Sequence, residues 1–205
     1  RISSIEPNLI TDEIIEFIKK SSKFMPHFHI PMQSGSDIIL GKMKRRYQTA
    51  LYATKIKKIN REIKDVCLGA DVIVGFPGET QKEFDNTLNF IKSLPINYLH
   101  VFTYSERDNT PAILMDKKVH PEDRIQRSKQ LRILSNKLQG MFYEKYLNTE
   151  HSALFEYEKK EGYLLGFTEN YIRIKMPFSK NISKTIQQVK LTEIDIDGIM
   201  KAKLI

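Results

Sequence analysis

The chain has 205 residues, with 33 Lys+Arg against 25 Asp+Glu, one cysteine and no tryptophan. That length suits one or two compact domains, and 40% hydrophobic with 28% charged residues describes an ordinary globular chain, not a disordered one. Cys67 alone excludes a disulfide framework and any zinc site or iron–sulfur cluster held by several local thiolates. No apolar run approaches the ~20 residues of a membrane span, and no signal peptide opens the sequence, so a cytoplasmic setting with no membrane partner is expected.

The chain starts at Arg1, directly in Ile2-Ser3-Ser4-Ile5-Glu6-Pro7, which reads as a strand over 1–6 already under way. A fragment whose N-terminal part has been removed is therefore expected. A helix follows over 11–22, then a strand over 27–32 that Pro31 interrupts. Helices over 36–45 and 49–64 come next, with Ser36 and Thr49 as N-caps. Residues 42–64 hold nine basic residues and one acid, Glu62, a net +8 that equals the charge of the whole chain. A strand over 66–75 leads into a helix over 80–93, whose Thr80-Gln81-Lys82-Glu83 is a capping box and whose Phe84, Leu88 and Ile91 share one face. A strand over 97–103 precedes a helix over 121–145, opened by Pro121 and carrying Ile125, Leu131, Leu134, Leu138 and Phe142.

Strand–helix alternation predicts right-handed crossovers and a parallel sheet, and Val72-Ile73-Val74 reads as a strand covered on both faces. Four such units are too few for a closed eight-stranded barrel. Near residue 148 the pattern changes to short strands at 152–158, 163–168, 171–176, 185–194 and 199–204, with turns at 160–162, 169–170 and 195–198. Five such strands suggest a small barrel of the oligonucleotide-binding type. The expected division is 1–147 and 148–205.

Ligands of a parallel α/β sheet collect at the C-terminal strand ends. Four such ends carry distinctive residues. Ser4 and Glu6 close the first. His29-Ile30-Pro31-Met32-Gln33-Ser34-Gly35-Ser36 closes the second and offers hydrogen bonds beside a helix N-terminus. Val74-Gly75-Phe76-Pro77-Gly78-Glu79 closes the third, where Gly75 and Gly78 permit close backbone approach. His100-Val101-Phe102-Thr103-Tyr104-Ser105-Glu106-Arg107 closes the fourth, where aromatic and polar groups can line a pocket. His27 and His29 alternate onto one strand face and read as packed or hydrogen-bonded histidines; no metal site is expected. Singly, none of these segments identifies a reaction.

Together, and in this order, they resemble the radical S-adenosylmethionine methylthiotransferases. The matching stretches are RISSIEP (1–7), HIPMQSGSD (29–37) with MKRRY (43–47), DVIVGFPGET (71–80) and HVFTYSERDNTPA (100–112). The likeness runs on through RSKQLRILS (127–135) to VKLTEIDIDGIM (189–200). Within the family the chain looks most like the tRNA threonylcarbamoyladenosine methylthiotransferases, which place a methylthio group on C2 of the modified adenosine beside the anticodon. The isopentenyladenosine and ribosomal-protein methylthiotransferases are the alternatives within the class. A non-catalytic RNA-binding module is the alternative outside it.

The resemblance implies the last four strand–helix units of a six-stranded partial (βα) barrel, followed by a five-stranded antiparallel TRAM barrel. It implies S-adenosylmethionine and two 4Fe–4S clusters in the full-length parent, but this chain lacks the family's cysteine ligands, so the fragment alone is expected to be inactive. Gln33, Ser34 and Ser36 become candidates for the polar part of S-adenosylmethionine. Ile73, Val74, Gly75 and Phe76 become candidates for its adenine, with Ser4, Glu6 and Tyr104 at the mouth. The implied partner is the tRNA anticodon stem-loop. Arg45 and Arg46 would meet it from the barrel flank, and Lys159, Lys160, Arg173 and Lys175 from TRAM, alongside Lys180 and Lys184 and the aromatics Tyr157, Tyr163, Tyr171 and Phe178. Truncation should also expose the edge of strand 1–6 and an apolar barrel interior, and so invite self-association.

Overall fold

The structure, a computed structural model, describes residues 1–160 and 162–205, and the side chains of all of these except 157–160. The first part is a parallel sheet of β1 (His27–His29), β2 (Cys67–Val74) and β3 (Tyr98–Thr103), in that spatial order. Helices α1 (Asp12–Lys20), α2 (Asp37–Lys42), α3 (Thr49–Glu62), α4 (Gln81–Lys92) and α5 (Pro121–Glu144) complete it. Phe28 of β1, Leu68, Ala70, Val72 and Val74 of β2, and Leu99 of β3 point to one face. There they meet Ile15, Tyr52, Ile56, Ile59, Phe84 and Leu131 from the helices in one buried cluster. Fully burying each such side chain contributes roughly 1.5–3 kcal/mol.

Among the described residues, the other face meets a helix only at the end of α5, where Phe142 and Tyr143 pack with Cys67 and Tyr98. This face carries His27 and His29, Asp71, and Tyr98 and His100, so the barrel interior is polar where an apolar one was expected. Val72-Ile73-Val74 is accordingly covered on one face only: Val72 and Val74 are buried, while Ile73 is partly open.

Strand 1–6 does not form. Only Ile2 pairs, its amide donating to the His27 carbonyl at 3.2 Å and its carbonyl accepting from the His29 amide at 2.9 Å. The chain then leaves the sheet and turns at Pro7–Leu9, where Pro7 has no N–H to continue a ladder. Strand β1 is shortened by Pro31 as expected, yet the chain follows β2 past it: the Ile30 and Met32 amides donate to the Gly69 and Asp71 carbonyls.

The caps differ in part from the sequence reading. Ser36 caps α2 and Thr80 caps α4, each accepting from the amide three residues on. Thr49 is not a cap: it is the first residue of α3, and its amide donates to the Asp37 carboxylate at 2.7 Å. Glu83 leaves the capping box open because its carboxylate is taken by the Ser36 hydroxyl. In α5, Leu131 and Phe142 are buried, but Ile125 is 65% exposed; Arg124 and Arg127 occupy the buried stripe in its place.

The second part is a closed barrel of β4 (Glu150–Lys160), β5 (Tyr163–Thr168), β6 (Arg173–Pro177), β7 (Ile186–Ile194) and β8 (Met200–Leu204), in the order β4-β5-β6-β8-β7. It is not wholly antiparallel, because the β6–β8 pair that closes it is parallel. Its core of Ala153, Phe155, Leu164, Ile174, Val189, Leu191 and Met200 continues into Cys67, Tyr98, Phe142 and Tyr143 of the first part. No described helix is long and apolar enough to cross a membrane.

Candidate functional site

The Gln33–Ser36 turn sits at the C-terminal end of β1. Gln33 takes φ 65° and bridges to Val72. Ser34 and Ser36 are buried and already bonded: the Ser34 hydroxyl faces Thr87 Oγ1 at 3.3 Å, and the Ser36 hydroxyl donates to Glu83. A buried bond to a carboxylate of this kind contributes roughly 1.5–3 kcal/mol, so these hydroxyls tie α2 to α4. The Gln33 amide, among the described residues, makes no side-chain hydrogen bond within the protein.

The turn after β2 is held from inside. Gly75 has φ 78°, and its amide donates to Glu79 Oε2 at 2.7 Å. A Cβ there would stand 2.4 Å from Arg124 Cγ, and one at Gly78 would stand 1.9 Å from Lys42 Nζ. The close approaches anticipated at these glycines are therefore made by protein side chains. Val74 is buried in the core, and its carbonyl accepts from the Tyr104 amide.

Above the ends of β2 and β3 opens a cavity of about 530 Å³. Ile73, Phe76, Phe102 and Tyr104 form its apolar wall, and Lys42, Lys44, Arg45 and Arg107 its charged rim. Phe76 and Tyr104 meet edge-on at 5.3 Å. The Tyr104 hydroxyl is buried without a hydrogen-bond partner, a state that costs about 1–3 kcal/mol unless a ligand satisfies it. Glu6 reaches this rim only through Arg45, at 3.2 Å. Ser4 lines a different cavity, on the inner face of the sheet.

The structure thus gathers Ile73, Phe76, Tyr104 and Arg45 of the expected site and sets Ser34, Ser36, Val74 and Gly75 beneath it as its support. Phe102 and Arg107 of the fourth strand end also line the cavity; sequence reasoning missed the 3-10 turn at Pro111–Leu114, whose Pro111 and Ala112 close one side of it. The HVFTYSERDNTPA stretch contained that signal.

On the inner face the five polar side chains form one network. His27 Nε2 and His29 Nδ1 both meet the Tyr98 hydroxyl, at 2.8 and 3.0 Å. His29 Nε2 lies 2.7 Å from Asp71 Oδ1, and His100 Nδ1 3.4 Å from the same oxygen. Burial, helped by the nearby Arg1 charge, pulls the His27 pKa down to about 3, so His27 is neutral.

The basic residues divide. Lys55 and Lys58 pair with Asp12, and Arg61 with Glu62, so much of the α3 charge is neutralised locally. Among the described residues, Lys44, Arg46 and Arg107 make no ion pair. Lys175 is buried, with Nζ 2.7 and 2.6 Å from Asp195 and Asp197; its charge is taken up within the barrel wall. Arg173 pairs with Glu156 at 2.8 Å and covers the Phe167 ring. Tyr171 is stacked on His27 at 3.8 Å and on Phe167 at 4.6 Å, so its ring is occupied at the junction of the two parts. Tyr157, Lys159 and Lys160 lie outside the residues whose side chains are described.

A parallel sheet with loops gathered over its C-terminal strand ends is the class of fold found in radical SAM enzymes. The coproporphyrinogen III oxidase of Escherichia coli, a radical SAM enzyme, superposes with a TM-score of 0.54 over 67% of this chain and 32% of its own, at 17% identity. Residues 2–91 match the model of the Radical SAM superfamily. Along its length the chain is similar to the threonylcarbamoyladenosine tRNA methylthiotransferases of Bacillus subtilis and Rickettsia prowazekii. The first is 37% identical over 93% of this chain and 43% of the relative; the second is 38% identical over 100% and 47%. The tRNA-2-methylthio-N(6)-dimethylallyladenosine synthase of a Hydrogenobaculum species is 35% identical over 98% of this chain and 47% of its own length. The chain spans about half the length of these relatives.

Proposed function

We propose that this chain is the part of a radical SAM tRNA methylthiotransferase that holds S-adenosylmethionine and guides the anticodon stem-loop, in the cytoplasm, with threonylcarbamoyladenosine as the modified base. The observation that carries the reading is the mouth cavity, which joins an aromatic wall, one unsatisfied buried hydroxyl and a cationic rim. Ile73, Phe76 and Phe102 suit a purine face. The Tyr104 hydroxyl is a buried polar group of this cavity that no protein group satisfies. Lys42, Lys44, Arg45 and Arg107 attract phosphate, with Arg46 behind them. S-adenosylmethionine, when bound, supplies the radical source and the methyl group.

The cysteine content does not fit an iron–sulfur cluster. Cys67 is buried on β2, and burial pushes its thiol pKa well up. A thiolate ligand needs the opposite. The clusters of this reading therefore draw their thiolates from outside this sequence, and this chain alone does not cleave S-adenosylmethionine. A stable cluster and cleavage after anaerobic reconstitution of the chain would overturn that statement. On this reading 1–147 and 148–205 are two parts that share a core at their junction, the second adding a modest RNA contact through Arg173, Lys159 and Lys160.

Nucleoside analysis of tRNA from a strain lacking the gene tests the substrate. Loss of the methylthio group from threonylcarbamoyladenosine supports the reading. Loss from isopentenyladenosine alone transfers it to the other tRNA branch, and an unchanged tRNA profile excludes both.

A further inference from the structure

The inner face of the sheet carries a constellation that the mouth cavity does not use. His29 is on β1, Asp71 on β2 and His100 on β3, so three adjacent strands each supply one donor to the same face. His29 Nε2, Asp71 Oδ1 and His100 Nδ1 all lie within 4.8 Å of one another. Donors on a four-coordinate zinc ion stand ~3.3–3.5 Å apart, given bonds of about 2.0–2.2 Å, so small side-chain rotations bring all three into range. They border a cavity of about 290 Å³ that Ser3, Ser4, Phe102 and Tyr171 also line. Space therefore remains on the open side for water or a further ligand.

The surroundings are those of a held ligand set. A metal-binding imidazole is fixed through its second nitrogen. His29 has that arrangement: Nδ1 meets the Tyr98 hydroxyl, which in turn meets His27 Nε2. Without metal, the proton on His29 Nε2 serves Asp71, and the Tyr98 hydroxyl donates to His29 Nδ1. With metal on Nε2 the proton moves to Nδ1, the Tyr98 hydroxyl turns to His27 Nε2, and the His27 proton moves to Nδ1. No proton is gained or lost; the metal replaces the His29–Asp71 hydrogen bond, both bonds to the Tyr98 hydroxyl survive, and His27 Nδ1 is buried without a partner in either state.

We propose that His29, Asp71 and His100 bind a divalent transition-metal ion of the zinc type, with an open coordination position facing the inner cavity. Two imidazoles and one carboxylate suit zinc in preference to magnesium or calcium.

The test uses the 205-residue chain and Co²⁺ as a visible probe, with Zn²⁺ as competitor. The expected result is one equivalent of Co²⁺ with the absorption of a low-coordinate site, abolished by Zn²⁺. His100→Ala is the decisive variant because that side chain is half exposed and belongs to neither buried core cluster. It should weaken Zn²⁺ binding by at least ~10-fold while leaving the metal-free melting curve unchanged. Nitrogen NMR should show the His29 proton moving from Nε2 to Nδ1 as Zn²⁺ is added. No Co²⁺ band, binding undiminished in His100→Ala, or a band removed instead by replacing His151, which pairs with Glu169 at 2.9 Å in the second part, would overturn the proposal.

Discussion

Glu79 and Arg127 form an ion pair at 2.8 Å, with side chains 1% and 8% exposed. Glu79 also accepts the Gly75 amide, and Arg127 also donates to the Glu79 carbonyl. One carboxylate thus fastens the turn after β2 to α5. Burial raises the Glu79 pKa, against the bonds from Gly75 and Arg127, which favour its charged form. Breaking one partner of a buried pair costs about 3–5 kcal/mol, because the other charge is stranded. Glu79→Ala should lose stability of that order in urea unfolding, and Glu79→Ala with Arg127→Met should recover a large part of it. A loss under about 1 kcal/mol in the single variant would show the pair to be no more than a surface contact.

His27 gives the fold an acid sensitivity. Its pKa is lowered from 6.5 to about 3, first by burial and then by Arg1, the chain amino terminus, His29 and His100. The unfolded chain takes up the proton first, so stability falls as pH drops below about 6.5, and this contribution levels off near 3. His27→Gln should flatten that limb of the stability–pH curve. An identical slope in wild type and variant would remove His27 as its source.

The cationic rim makes a separate prediction for RNA. Lys44→Glu, Arg46→Glu and Arg107→Glu should each weaken tRNA binding and reduce the salt slope by about 1. Lys175→Glu should instead destabilise the β-barrel, because Asp195 and Asp197 lose their counter-ion. Gel-shift titrations at several salt concentrations, with parallel melting curves, separate the two. Equal salt slopes for wild type and rim variants would move the contact elsewhere.

The β1 edge predicts association. Beyond β1 only the Ile2 bridge follows, which leaves the outer edge of the sheet without a full strand. Such an edge pairs with another chain. Light scattering should show concentration-dependent dimers. A monomer at high concentration, with Ile2 protected from hydrogen exchange, would refute this.

How much was legible follows from the range of each interaction. The helices were readable because caps and apolar periodicity are local: Ser36, Thr80 and Pro121 each mark a start. The mouth was readable in outline because strand ends in a parallel sheet collect ligands. Ser34 and Ser36 were read as ligand contacts because their bonds to Thr87 and Glu83 lie 47 or more residues away. Lys175 was read as an RNA contact because its counter-ions lie 20 and 22 residues away across the barrel closure.

The sequence by itself determined the order of elements, the change from α/β to β near residue 148, and the likeness to methylthiotransferases, since these rest on local pattern and motif order. Only the tertiary structure decided which polar residues are free and which are already bonded. It left the Tyr104 hydroxyl unsatisfied in the mouth, neutralised half of the α3 charge through Asp12 and Glu62, and joined His29, Asp71 and His100 on one face. The physical reason is that a hydrogen bond or ion pair depends on distance in space, and strands far apart in sequence meet only once the sheet has formed.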